Sequence, residues 1–134
     1  MRSSVTPSRS PFSYAVLRIV PDIEREEFVN AGLVLLCRSR RYLRARTSID
    51  AERLRALRPS ADVDALRAQL ALIEKIAVGE VPNGPLAGMS QSERFHWLTT
   101  PRSTAVQPGS VHGGMADDPD ATFEHLYTTL VDRS

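Results

Sequence analysis

The chain has 134 residues, 42% of them hydrophobic and 25% charged, with a net charge of +1. That length suits one domain with a real core, and the composition excludes a disordered, collagen-like or coiled-coil chain. The near-zero charge gives no global pull toward nucleic acid or a membrane, and a single cysteine, Cys37, excludes an internal disulfide.

Residues 1–12 are rich in Ser, Pro and Arg without periodicity and read as a flexible N-terminal tail. They hold no apolar stretch of the kind a secretory signal needs, so a cytoplasmic protein is expected. Residues 13–134 read as a single α+β domain. Residues 13–20 (SYAVLRIV) are β-branched and apolar on both faces except at Arg18, which suits a central strand stopped by Pro21. A polar connection with a possible helical turn follows over 21–27. Residues 28–37 (FVNAGLVLLC) predict a second buried strand, 38–40 a tight turn, and 41–47 (RYLRART) a third strand antiparallel to the second.

Helical signals start at Asp50, which can cap a short helix through Ala51, Leu54 and Leu57 that Pro59 ends. Asp62 caps the most strongly periodic stretch, with Val63, Leu66, Leu70, Ile73 and Ala77 on one face and Gly79 as its C-terminal stop. Residues 79–89 read as a loop. Ser90 and Glu93 have the spacing of a capping box for a third helix through Phe95 and Leu98. Residues 103–107 offer a fourth strand, Pro108-Gly109 a turn, and Gly113-Gly114 a flexible pair. Asp118-Pro119 opens a last helix with Phe123, Leu126, Tyr127, Leu130 and Val131 inside. The expected fold is α+β, a small antiparallel sheet of three to four strands covered by about four helices. The longest apolar run, Ala31 to Cys37, falls far short of the roughly 20 residues a membrane span needs.

Three stretches carry a resemblance: YAVLRIVPDIEREEFVNAGLVLLC (14–37), SERFHWLTTPRSTAVQPGSVHGG (92–114) and the DDP (117–119) that opens the last helix. Together they resemble the bacterial family known as domain of unknown function 3037, over nearly everything from Tyr14 onward. The family brings no established activity. Its members are often encoded beside a HipA-like protein kinase, a class linked to toxin–antitoxin systems, so the resemblance implies a HipA-like kinase as partner rather than a reaction.

Charge is uneven along the chain. Residues 38–58 hold eight Arg against two carboxylates, a net +6, while 112–132 hold five carboxylates and no Arg or Lys. The two segments can pair within the fold. Alternatively, Arg40, Tyr42, Arg44 and Arg46, which share one face of an extended strand, form a partner-binding surface. Arg interleaved with an aromatic also suits a nucleic-acid backbone, although a solvated or partner-binding face explains it more simply. A second group, Arg94 with Arg102, Ser103, Thr104 and Gln107, offers guanidinium forks and hydroxyls for a phosphate-containing small molecule; the alternative is that Arg102 pins a loop by pairing with Asp117 or Glu27.

Glu27 and Asn30 can face a ligand at a sheet end, or Asn30 can serve a bulge near Gly32. His112, with Asp117 and Asp118, lacks the spacing of a metal site, so no metal or other cofactor is expected. Cys37 reads as an inert buried thiol and Trp97 as core. No phosphate loop, dinucleotide fingerprint or nucleophile elbow is present. The residues therefore lean away from an enzyme and toward an accessory or interaction protein. Two alternatives remain: a small enzyme or binding protein that holds a phosphorylated ligand through Arg94 and Arg102, with His112 or Glu27 as acid/base, and a nucleic-acid-binding regulator working through residues 38–58.

Overall fold

The apolar residues of the first two strands point both ways, and the fold answers by covering both faces of one sheet. A computed structural model describes residues 9–102 and 104–132. Strand β1 (Ser10–Asp22) pairs antiparallel with β2 (Glu27–Cys37), which pairs with β3 (Tyr42–Thr47). Along its other edge β1 pairs with β4 (Val106–Pro108) through residues 17–19 and with β5 (His112–Ala116) through residues 10–14. The helices are α1 (Ala51–Leu57), α2 (Val63–Val78), α3 (Gln91–Leu98) and α4 (Pro119–Leu130).

The caps form as their chemistry demands. Asp50 accepts from the Arg53 amide, Asp62 from Ala65, and Asp118 from Asp120 and Ala121. Ser90 and Glu93 complete a reciprocal capping box, and Gly79 ends α2 at φ 81°.

A bulge sets which residues meet which core. The β1–β2 register steps from Leu17↔Gly32 to Arg18↔Asn30, leaving Ala31 unpaired. Val29 and Ala31 before the bulge, and Val34 and Leu36 after it, thus join the same core. They pack with Ala15, Leu17 and Ile19 against Leu54, Leu66, Leu70, Ile73, Ile76, Phe95 and Leu98 of α1–α3. Leu33, Leu35 and Cys37 turn to the other face, where Phe123, Tyr127 and Val131 of the α4 segment cover them. A fully buried side chain of this size contributes about 1.5–3 kcal/mol, so the two-sided burial of β2 is a large share of the fold's stability.

The sheet has five strands, not three or four. The extra one is β5, in which Gly113 and Gly114 are strand residues rather than a flexible pair. A Cβ on Gly114 would lie 2.7 Å from the Phe12 ring, so glycine lets that ring lie over the strand. The same pairing draws Ser10, Pro11 and Phe12 into β1, three residues that read as tail. Pro21 does not stop β1, which runs to Asp22. Pro21 sits in the register break between Ile19 and Asp22, where the ladder does not need its missing N–H. The fourth strand forms later than expected, at Val106–Pro108, so Pro108 is strand rather than turn.

Gly32 is hemmed in by backbone as well as side chains: a Cβ there would meet the Arg46 carbonyl and the Thr47 methyl at 3.0 Å and Leu17 at 3.3 Å. Gly32→Ala is expected to cost about 1–3 kcal/mol, read as a lower denaturant midpoint with an unchanged slope.

Candidate functional site

The basic strand does not stand free. Strand β3 points Tyr42, Arg44 and Arg46 at the acidic side of α4. The Tyr42 hydroxyl donates to Asp120 at 2.7 Å. Arg44 donates to Asp120 at 2.7 Å and to Glu124 at 2.9 Å, and Arg46 grips both oxygens of Glu124 at 2.8 Å. The same guanidiniums lie over aromatic faces: Arg44 is 4.5 Å from the Phe123 ring centre and Arg46 is 4.9 Å from that of Tyr127. The +6 and −5 segments therefore meet each other, and the face offered as a partner surface is the seat of α4. Arg40 lies apart, donating to the Ser10 hydroxyl at 3.0 Å.

These contacts shift the groups that make them. The two guanidiniums, Arg46 first and Arg44 second, pull the Glu124 carboxyl down to about 2. Burial, reinforced by the hydrogen bond to Asp120, pushes the Tyr42 hydroxyl above the ordinary phenol range.

Asn30 holds the other end of α4: its Nδ2 donates to the Leu130 carbonyl at 3.0 Å, satisfying an acceptor that a helix C-terminus leaves open. The bulge near Gly32 is present, but the hydrogen bond of Asn30 goes to the end of α4 and not to the backbone of the bulge. Glu27 takes the Arg25 Nε at 2.6 Å. His112 tilts against Tyr14 at 5.4 Å between ring centres. Asp117 lies 3.8 Å from Arg9, and Asp118 is occupied as the α4 cap. Glu27 pairs near Asp22 and His112 beside Tyr14, eight residues away along β1. At about 3.3 Å per residue they stand roughly 25 Å apart and cannot share a substrate. Among the described residues no group of three or more His, Cys, Asp or Glu is placed to hold a metal ion.

The two arginines of the anion hypothesis work locally. Arg94 donates to the Met89 carbonyl at 2.6 Å and to that of Ala77 at 3.4 Å, tying α3 to the end of α2. Arg102 donates to the Trp97 carbonyl and stacks 4.0 Å from the Trp97 ring centre. It pairs with neither Asp117 nor Glu27. Burial pulls its guanidinium below the usual range. Gln107 closes the following loop: its carbonyl accepts from the Arg102 amide at 3.1 Å, and its amide donates to the Arg102 and Thr104 carbonyls. The Thr104 hydroxyl donates to the Val106 carbonyl at 2.9 Å. Ser103 lies outside the described residues.

One concavity collects residues that the core does not use. An open groove of about 660 Å³ runs along α3, lined by Met89, Glu93, His96, Trp97, Pro101 and Arg102 among others. Arg94 does not line it. Trp97, expected in the core, is 37% exposed there, whereas Phe95 and Leu98 are buried. The signal was available. Two residues apart on a helix lie about 200° around its axis, so Phe95 and Trp97 cannot both face one core. Met89 was missed for a different reason, because only the fold brings the loop before α3 into one groove with Pro101 and Arg102 after it.

The family model described as "Protein of unknown function (DUF3037)" matches residues 14–131. No curated protein and no solved structure matches the chain. No helix among the described residues is long and apolar enough to cross a membrane.

The α4 clasp predicts a pH signature. Glu124 has a folded value of about 2 against an ordinary 4.5. A depressed carboxyl stabilises the fold above its unfolded value and loses that contribution as pH falls through the folded one. Wild type is therefore expected to be more stable than Glu124→Gln near neutrality. The difference should fade between about pH 4.5 and pH 2, measured by urea unfolding at each pH.

Proposed function

We propose a binding role for this chain, which belongs to the DUF3037 family: it is a non-catalytic accessory protein of the cytoplasm that docks another protein in the α3 groove. The observation that carries the reading is Trp97, left 37% exposed in an apolar groove with Arg102 stacked on its ring at 4.0 Å. Trp and Arg are the residue types over-represented among interface positions that dominate binding energy. An exposed Trp whose ring is already held by a guanidinium loses little freedom on docking. The groove is built from residues 89–102, most of it within the stretch 92–114 through which the chain resembles its family.

Two further observations support binding over catalysis. Glu27 and His112, the candidate acid/base groups, stand far apart, and Arg94 and Arg102 already serve backbone carbonyls. The partner class that the family resemblance suggests is a HipA-like kinase. Co-purification of the tagged protein with the HipA-like kinase of the same genome tests this. Near-equal amounts are expected with wild type, and Trp97→Ala should weaken binding by about 2 kcal/mol, roughly thirtyfold. A kinase that is not retained, or that binds Trp97→Ala equally well, overturns the reading.

The place of Arg102 on the groove wall favours one alternative occupant. A guanidinium there can bond an anion, so the groove can take a phosphorylated small molecule at Arg102. On that reading, inorganic phosphate or a nucleotide raises the melting temperature of wild type and leaves that of Arg102→Ala unchanged. Equal melting temperatures of wild type with and without these ligands remove it.

A further inference from the structure

The second face of the sheet is only half covered. Helix α4 lies over Leu33, Leu35 and Cys37 of β2 and against Tyr42 of β3. Helices α1–α3 all pack on the opposite face. Among the described residues no helix therefore lies over the neighbouring part of β1 or over β4. Strands in a sheet stand about 4.8 Å apart, and a helix with its side chains is about 10 Å across. The bare strip is two strands wide, which is the width of one helix.

Alternation along β1 says what the strip presents. Ala15, Leu17 and Ile19 enter the α1–α3 core, so Tyr14, Val16, Arg18 and Val20 face the α4 side. Tyr14 joins the margin of the α4 core, but neither core takes in Val16, Val20 or Phe28. Val16 and Val20 are half-buried, and Phe28 is 44% exposed.

Arg18 stands in the middle of these apolar residues. It pairs with Asn30 on one side and Gln107 on the other, both uncharged. Their amides are turned to backbone, that of Asn30 to the Leu130 carbonyl and that of Gln107 to the Arg102 and Thr104 carbonyls. The Arg18 guanidinium lies 4.3 Å from the Phe28 ring centre. It also sits so close to Gly109 that a Cβ there would be 3.2 Å away. Its Nε is buried without a hydrogen-bond partner. Among the described residues no hydrogen bond or ion pair reaches the rest of the group. A charge held partly out of water with no counterion is uncommon and costly. Arg44 and Arg46, by contrast, have Glu124, and Arg94 and Arg102 have backbone carbonyls.

We propose that this strip docks a helix of a partner protein, which lies beside α4, covers Val16, Val20 and Phe28 with apolar side chains, and brings a carboxylate to Arg18. The unpaired charge sets the chemistry of the occupant, and the width of the strip sets its secondary structure. A second copy of this chain is the poorer occupant on electrostatic grounds. A two-fold pairing of the face sets Arg18 against Arg18. The exposed apolar residues of α2, Leu72 and Val78, have Lys75 between them, which is again a like charge. The strip shares no residue with the α3 groove, so this proposal and the one above fail separately.

The test selects binders to the full chain from a displayed library of amphipathic helices, their apolar stripe fixed except for one randomised position within it. Aspartate and glutamate are expected there with wild type, and lysine or arginine with Arg18→Glu. Arg18→Gln should weaken the selected acidic helix at least about tenfold, and it carries the test alone if the charge reversal unfolds the chain. Trp97→Ala should bind that helix as wild type does. The proposal is overturned if no helix is enriched, if the randomised position shows no preference for acids, or if Arg18→Gln binds as tightly as wild type. A folded Arg18→Glu that selects the same residues as wild type also overturns it, as does a dimer of the free protein that Phe28→Ala disperses.

Discussion

Strand β1 must satisfy a hydrogen-bonding neighbour on each edge and a packed layer on each face, and the other elements are arranged around that requirement. β2 takes one edge; β4 and β5 share the other end to end. Helices α1–α3 cover one face and α4 covers part of the second. The bulge at Ala31 makes this possible from a single β2 sequence. Without it, the alternation set by Val29 and Ala31 would carry Leu33 and Leu35 into the α1–α3 core and leave α4 without a floor.

The second layer is held by a different physics from the first. Helices α1–α3 meet the sheet through a continuous apolar core. α4 brings Phe123 and Tyr127 over Leu33 and Leu35, but Arg44 and Arg46 of β3 sit at the border and face Asp120 and Glu124. The arginine stems and the stacked guanidiniums cover aromatic surface while the charges meet at the solvent boundary. Exposed pairs of this kind contribute modestly one by one, but here they fix the position of a helix whose apolar contacts alone define a face and not a register. Asn30 adds a second point of attachment at the opposite end of α4.

Local chemistry was legible in the sequence wherever one residue decides one event. Asp50, Asp62, Ser90 with Glu93, Gly79 and Asp118-Pro119 all mark helix ends where expected, because a cap needs only its own neighbours. β5 was hidden because its reason lies 102 residues upstream: Gly114 is strand so that the Phe12 ring can lie on it. The role of Arg94 was hidden similarly. A guanidinium in a polar stretch suggests an anion, and only the fold shows the Met89 and Ala77 carbonyls converging on it. Tyr42, Arg44 and Arg46 share a face toward α4, whereas Arg40, expected on the same face, lies in the turn before β3 and donates to Ser10. What the face meets depended on where α4 lands, and charge complementarity with Asp120 and Glu124 was one of the two readings the sequence allowed.

Those same reassignments bear on function. Arg44, Arg46, Arg94 and Asn30 are each engaged within the fold. Met89, Glu93, His96 and Trp97 instead line the groove on α3. The groove sets a large aromatic beside a guanidinium, with Arg102 stacked 4.0 Å from the Trp97 ring centre. The fold closes the β3 edge with Glu74 and Gln91, and it buries Phe95 while exposing Trp97 two residues on because those positions lie on opposite sides of α3.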